Sequence, residues 1–403
     1  MSVQTPAGDS GLGAEADLAP ADTVAAAEEV LRNRFGAPIR LADPQPLGGK
    51  TDSTVIRVRV ADTPFSLPRT LVVKRYSCAT SGGPEDGFPR EAVSYQLFTA
   101  IAEDERICPE LYAHDGQARV LVLEDLGLEP TLADKLLGDD PRAAESALLA
   151  FARSLGRLHA TTAGREADFD ALMRRFDRAP RLHPLYSDCS TALDGVPALL
   201  ADALGVDTPS AVADVAERGS GMLHRGKHRA FSPAALCPDN NLITGRGVRF
   251  VDFAGGCVRE ILLDAAYLRV PFPACWCAFG LPPGMTEAML AAWRSEVADV
   301  WPELDDDDKL LPWLLDAQLL WVWMATWSYL PRPGEHDTAV DATLPSPRRG
   351  EALLARWQRL ADDADMLGVS AVAEHANAVV DGLFNRFGEE LALPMFPAFA
   401  EPA

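Results

Sequence analysis

The spacing of apolar and polar residues changes character along the chain. Residues 23–35 repeat apolar positions at helical spacing and are halted by Gly36 and Pro38, which predicts a first helix. Residues 53–60, STVIRVRV, alternate with period two, and 70–76, TLVVKRY, form a second β-branched run. After the loop 77–88, residues 89–98 read as a helix with proline at its start, and 119–126, RVLVLEDL, return as a strand. These segments predict a small, mainly antiparallel sheet with one helix packed on it.

Beyond Gly127 helical spacing dominates. Leu148, Phe151, Leu155 and Leu158 recur every three or four residues, giving one apolar face to a helix over 143–160. Further helices are expected at 166–176, 191–204, 287–300, 310–330, 350–363 and 371–384, and a strand-loop-strand at 232–256 interrupts them. The expected fold class is therefore α+β. Its divisions are a disordered tail at 1–22, a sheet lobe at 23–127 and a larger helical lobe at 128–403.

Composition narrows the partners. The chain has 403 residues, 48% apolar and 24% charged, as in an ordinary globular protein. Its 37 Lys and Arg against 59 Asp and Glu leave a net charge of -22, a field that argues against nucleic acid or anionic membrane as partners. A polyanionic ligand would need a locally basic pocket. Seven cysteines, an odd number without a paired framework, fit a reducing cytoplasm, and Cys275-Trp276-Cys277 is too close-set to supply a zinc site alone. The amino terminus has no basic region followed by an apolar core, so no signal peptide is expected. Residues 310–330 have the length of a membrane span, but Asp316 would cost roughly 2.5–3.5 kcal/mol at its centre, and a buried helix is the better reading.

Three sets of residues could carry chemistry. Gly48 and Gly49 form a turn between strands that could fold over phosphates, with Lys50 or Ser53 near the anion; a plain hairpin turn fits equally. The turn is not a Walker loop, because Pro44 occupies its first glycine position and a strand follows. Lys74, inside an apolar strand, needs a carboxylate partner if buried, and Glu91 early on the next helix suits it; otherwise Lys74 is an edge lysine in solvent. Asn240 and Asp252 offer the hard oxygen donors that magnesium takes beside phosphate and water, although an Asn in Pro-Asp-Asn is often a turn residue.

The order of these pieces is more specific than any one of them. Glycine hairpin, strand lysine, helix glutamate, LEDLG, CPDNNLI and VDF follow one another as in the two-lobed kinase fold. Over about residues 40–330 the chain resembles the aminoglycoside phosphotransferase and choline kinase-like superfamily of small-molecule kinases. The resemblance implies that Gly48 and Gly49 cover the phosphates of ATP or another nucleoside triphosphate, and that Lys74 contacts them and pairs with Glu91. It implies that residues 123–126, including Glu124 and Leu126, form the adenine-reading hinge, that Asn240 and Asp252 hold Mg2+, and that Asp264 supports the catalytic loop.

One departure opposes these matches. The resemblance would put the catalytic aspartate at position 235 after a glycine at 234, and the residues there are Ala234 and Ala235. A positioned base contributes about 100- to 10,000-fold, roughly 3–5 kcal/mol. Asp239 is the candidate substitute, with a turn aspartate as its plain reading. His224 and His228 lie in a basic cluster that could act, attract an anion or pair with surface carboxylates. Two expectations follow: a degenerate kinase-fold protein that binds magnesium nucleotide and acts as a pseudo-enzyme or partner of a regulatory protein, or a working phosphotransferase for a small hydroxylated metabolite. A scaffold that binds no nucleotide is the third.

Overall fold

A computed structural model describes residues 19–48, 52–83, 86–176, 183–270, 272–273 and 275–400. Helix α1 (Pro20–Phe35) starts on a proline and ends where Gly36 takes φ 79°, its N–H bonding back to Arg32. The tail expected over 1–22 is thus corrected at its end: Pro20 to Asp22 are helical, because proline suits a first turn, and residues 1–18 lie outside the described residues.

Strands β1 (Arg40–Gly48), β2 (Ser53–Asp62), β3 (Thr70–Tyr76), β4 (Leu111–Asp115) and β5 (Val120–Glu124) form one antiparallel sheet in the order β1-β2-β3-β5-β4. Ile56, Val58, Leu71, Val73, Val120 and Val122 pack with Ala27 and Leu31 of α1. The opposite residues, Tyr76, Leu121 and Leu123, pack with Val93 and Leu97 of α2 (Phe88–Phe98). Both faces are covered, which is why β5 is a continuous apolar run rather than an alternating one. Period-two alternation puts Lys74 on the α2 side with Tyr76.

The larger lobe contains α3 (Leu132–Leu136), α4 (Pro141–Thr162), α5 (Glu166–Phe176), α6 (Pro184–Leu204) and α7 (Ser210–Gly221). Two short ladders follow, β6 (Arg229–Ser232) with β9 (Cys257–Glu260) and, nested between them, β7 (Asn241–Thr244) with β8 (Gly247–Phe250). After them come α8 (Leu262–Arg269), α9 (Met285–Val297), α10 (Asp307–Tyr329), α11 (Arg349–Met366) and α12 (Ser370–Phe387). The α+β architecture of a small antiparallel sheet lobe and a larger, mainly helical one is the one expected.

Helix α10 is capped by Asp306, which accepts from the Asp308 N–H at 3.1 Å, so the acidic run is a helix start. The helix is buried around most of its circumference, and Asp316 is satisfied by two 2.9 Å bonds from Arg218. No helix among the described residues is long and apolar enough to cross a membrane.

One reading is overturned. Cys237 and Cys275, 38 residues apart, form a disulfide with Cα atoms 5.5 Å apart, whereas the sequence suggested cysteines without pairing. The pairing depends on the segment after Phe272 folding back onto the loop before β7, a contact that cysteine spacing does not encode.

Candidate functional site

Lys74 is the centre of one buried ionic cluster. Its Nζ lies 2.8 Å from Glu91 Oε2 and 2.8 Å from Asp252 Oδ1, joining β3, α2 and the segment after β8. The solvated-lysine reading is thereby excluded. The Tyr76 hydroxyl donates to Glu91 Oε2, and the Phe253 N–H donates to Oε1 at 3.3 Å, so the glutamate is held both from β3 and from the segment after β8. Burial alone would strip the Lys74 proton, but Glu91 and Asp252 together push its affinity for that proton upward, so the ammonium stays charged. Burial and the neighbouring Asp252 raise the Glu91 carboxyl, with Lys74 opposing them. Two carboxylates flank one ammonium.

Local packing fixes α2 in this position. Arg119 clasps Asp86 through two bonds, 2.6 and 3.1 Å, just before the helix begins. Gly87 must be small because a Cβ there would stand 2.7 Å from Ala254 Cβ. The buried Phe253 ring meets Tyr95, Phe98 and Phe231 at centroid distances of 4.9, 5.6 and 5.4 Å. Helix α2 and the segment that delivers Asp252 are therefore packed as one body.

Asn240 is brought beside Asp252 through the backbone: Val251 N–H donates to Asn240 O at 3.0 Å. The Asn240 amide nitrogen donates to Ala235 O at 3.3 Å, and no hydrogen bond engages its Oδ1 among the described residues. Asp252 has φ 64°, a left-handed conformation that aspartate tolerates better than most residues. Among the described residues no group of three or more His, Cys, Asp or Glu could hold a metal by itself. One carboxylate and one amide oxygen instead fit a magnesium ion that completes its shell with water and phosphate.

The adjoining loop lacks an acid at its turn. Ala234 has φ 60°, a conformation that costs an alanine about 1–2 kcal/mol and a glycine nothing comparable. Ala235 N–H bonds to Pro233 O at 2.7 Å, and its methyl offers no proton acceptor. Asp239 is exposed, and its Oδ2 accepts from Trp276 Nε1 at 3.3 Å, beside the Cys237–Cys275 disulfide. His183, which sequence reading missed, stands with Ala234 beside Gly255. Its Nε2 donates to Gly255 O at 2.7 Å and its Nδ1 accepts from Leu185 N–H at 3.1 Å, so both ring nitrogens are spent. Burial drives it down to about 3, with Arg90 adding to the effect, so it stays neutral and is no base near pH 7.

His224 and His228 do not converge on this loop. His228 is buried between Glu260 (3.0 Å) and Glu303 (3.2 Å), while the His224 ring leans on Tyr186 at 5.8 Å. For His228, pairing with carboxylates is the correct alternative.

Asp264 supports the loop from below. Its Oδ1 accepts from Ser232 Oγ at 2.9 Å and from Arg259, and its Oδ2 faces His159 Nε2 at 3.0 Å. Ser232 Oγ in turn accepts from the Ala234 N–H at 3.0 Å. Trp293 Nε1, a donor only, bonds to His159 Nδ1 at 3.0 Å, which leaves the imidazole proton on Nε2, aimed at Asp264. Burial would raise the Asp264 carboxyl, but Arg259 and then His159 and Ser232 hold it at about 2.

The remaining expected positions lie at the sheet. Gly48 has φ 112°, which favours glycine, and it pairs with Val55; Gly49 and Lys50 lie outside the described residues. Glu124 ends β5, its N–H and Oε2 bonded to Glu110 at 2.8 and 3.1 Å, and Leu126 is half-buried just after it. Between them Asp125, not singled out by the sequence, pairs with Arg57 of β2 at 2.7 Å.

No protein-family profile matches the chain, and no curated protein matches it. Solved structures that resemble it include a choline kinase from Cryptosporidium parvum Iowa II (12% identity, 82% of this chain and 91% of that one, TM-score 0.46). Others are a macrolide 2'-phosphotransferase from Brachybacterium faecium (16%, 88% and 96%, TM-score 0.43) and a thermostable mutant of an aminoglycoside phosphotransferase in complex with AMP-PNP and hygromycin B (14%, 89% and 98%, TM-score 0.41). At these identities and scores the likeness does not establish an activity for this chain.

Proposed function

We propose that this chain is a phosphotransferase-like protein with a degenerate catalytic loop: it binds a magnesium nucleotide, ATP or another nucleoside triphosphate, and does not transfer its phosphate. The observation that carries this reading is the Lys74–Glu91–Asp252 cluster with Asn240 beside it, standing next to a loop in which Ala235 has no acceptor and Asp239 is engaged by Trp276. Lys74 would meet the phosphates, Asp252 and Asn240 would hold Mg2+, Gly48 and Gly49 would cover the nucleotide, and the segment from Glu124 to Leu126 would receive the base. In this reading 23–127 is the nucleotide-covering lobe and 128–403 carries the degenerate loop.

A slow but active phosphotransferase acting on a small hydroxylated molecule is the second reading. It is favoured by the same intact cluster, because phosphoryl transfer depends mainly on positioning and charge stabilisation.

Calorimetry with ATP, with and without Mg2+, tests the shared part, and ADP release over a panel of hydroxylated metabolites separates the two. The degenerate reading expects magnesium-dependent binding, no turnover, and about 100-fold or greater gain in ADP release on Ala234→Gly with Ala235→Asp. The glycine matters because position 234 is left-handed. Appreciable turnover by the unmodified protein sinks the degenerate reading, and absence of nucleotide binding sinks both.

A further inference from the structure

Most of the buried arginines of this protein meet a carboxylate. Arg119, Arg259 and Arg269 pair with Asp86, Asp264 and Asp363, as the half-buried Arg57 does with Asp125. Around the junction of α10 and α11 the pattern breaks: among the described residues Arg332, Arg349, Arg356 and Arg386 form no ion pair. Each lies instead over an aromatic ring: Arg332 on Trp327 at 4.4 Å, Arg349 and Arg356 on Tyr329 at 5.9 and 5.0 Å, and Arg386 on Phe387 at 5.2 Å. In a chain of net charge -22, four cations without acids at one place need an explanation.

Their hydrogen bonds do not supply it. Arg332 donates to the carbonyls of Trp327 and Leu330 at 2.9 and 3.2 Å, and Arg386 donates to those of Ala203 and Arg332 at 3.5 and 3.0 Å. Carbonyls satisfy donors without neutralising charge. Arg356 is 4% exposed, and its Nη1 and Nη2 are buried with no hydrogen-bond acceptor; Arg349 Nε is in the same condition. Two acids stand nearby, each facing groups other than these four side chains, and Asp337 Oδ2 is ion-paired without a hydrogen bond. Asp337 serves Arg348 at 3.1 Å and the Gly350 N–H at 3.0 Å, and Glu335 Oε2 accepts the Arg332 backbone N–H at 2.8 Å. A buried charge without a counter-charge is costly, and a ring face offsets only part of that cost.

A cavity of about 280 Å³ opens among these residues, lined by Tyr329, Arg332, Glu335, His336, Thr338 and Arg349. Arg349 and Arg356 are seven residues apart on α11, two helical turns, so they share a face and a ring, Tyr329. We propose that this cavity is a binding site for a small anion, a phosphate monoester or a carboxylate. Arg332 and Arg349 line it and make the contacts, and Arg356, against Tyr329, adds charge rather than contact. Its volume falls just below the range of about 300–1,000 Å³ usual for drug-sized ligands, so the ligand is a small metabolite.

The test uses the full chain and inorganic phosphate, titrated by calorimetry and by thermal unfolding at constant ionic strength with chloride as the balancing salt. Saturable phosphate binding that raises the midpoint is expected, and Arg349→Gln should weaken it by about tenfold or more, which also separates this site from binding near Lys74. Acetate in place of phosphate tells the two anion classes apart: a response to both indicates carboxylate ligands, and a response to phosphate alone indicates phosphate esters. Should Arg349→Gln fail to fold by circular dichroism, Arg356→Met serves instead: without anion it should unfold at a higher temperature than the parent, and with phosphate it should gain less. No saturable response to either anion, or an undiminished response in the folded variants, overturns the proposal.

Discussion

The two buried ionic clusters differ in how acids and cations are apportioned. At Asp264 a single carboxylate is surrounded by Ser232, Arg259 and His159, and the histidine is itself oriented by Trp293. At Lys74 one ammonium serves Glu91 and Asp252 together. The first cluster has its acid fully matched and locks the loop that carries Ala234. The second sets two carboxylates on one ammonium beside an amide oxygen, hard donors of the kind a divalent cation takes. The comparison teaches that the donor set around a buried carboxylate, more than its burial, separates one that supports a loop from one placed to receive a ligand.

The largest test of that contrast is Asp264→Ala. Removing it leaves Arg259 buried without its counter-charge, and stability should fall by about 3–5 kcal/mol, read from the midpoint of urea unfolding. Asp252→Asn should behave differently. It relieves the repulsion on Glu91, so stability should move by about 1 kcal/mol or less, while the magnesium-dependent part of nucleotide affinity falls by about tenfold or more in calorimetry. Equal losses of stability in the two variants would break the distinction.

The smallest effect concerns a third acid-flanked group, His228. Burial lowers its proton affinity, but Glu260 and then Glu303 outweigh that and raise its folded value above that of the unfolded chain, about 6.5. Its contribution is therefore complete below about pH 6.5 and is lost as pH rises through the folded value. Unfolding midpoints should decline over that window, and the decline should shrink in His228→Gln. A midpoint that rises over the same window would contradict the assignment.

Much of the architecture was legible because its signals are local. A period-two run marks β2 and a β-branched run β3, residues 166–176 match α5 to the residue, and the proline before Arg90 marks the start of α2 within one residue. Other elements were not legible. Strands β6 and β9 are four residues each, and α8 is buried on every side, so neither shows a periodic face. Strand β4, of five residues, and helix α7, whose buried positions Val212, Val215, Ala216 and Gly219 are all small, were also missed.

The chain's own residues determined the chemistry available: a lysine in an apolar strand, a glutamate early in the next helix, an Asn and an Asp flanking a hairpin, and alanines in the turn before them. Tertiary structure decided which of these meet. It closed Lys74 on Asp252 across 178 residues of sequence, turned Asp239 to Trp276, joined Cys237 to Cys275 and gathered four arginines without acids at one junction. The reason is physical: periodicity and capping act over a few residues and leave a pattern in the sequence, whereas matching one buried charge to another depends on which surfaces fold together.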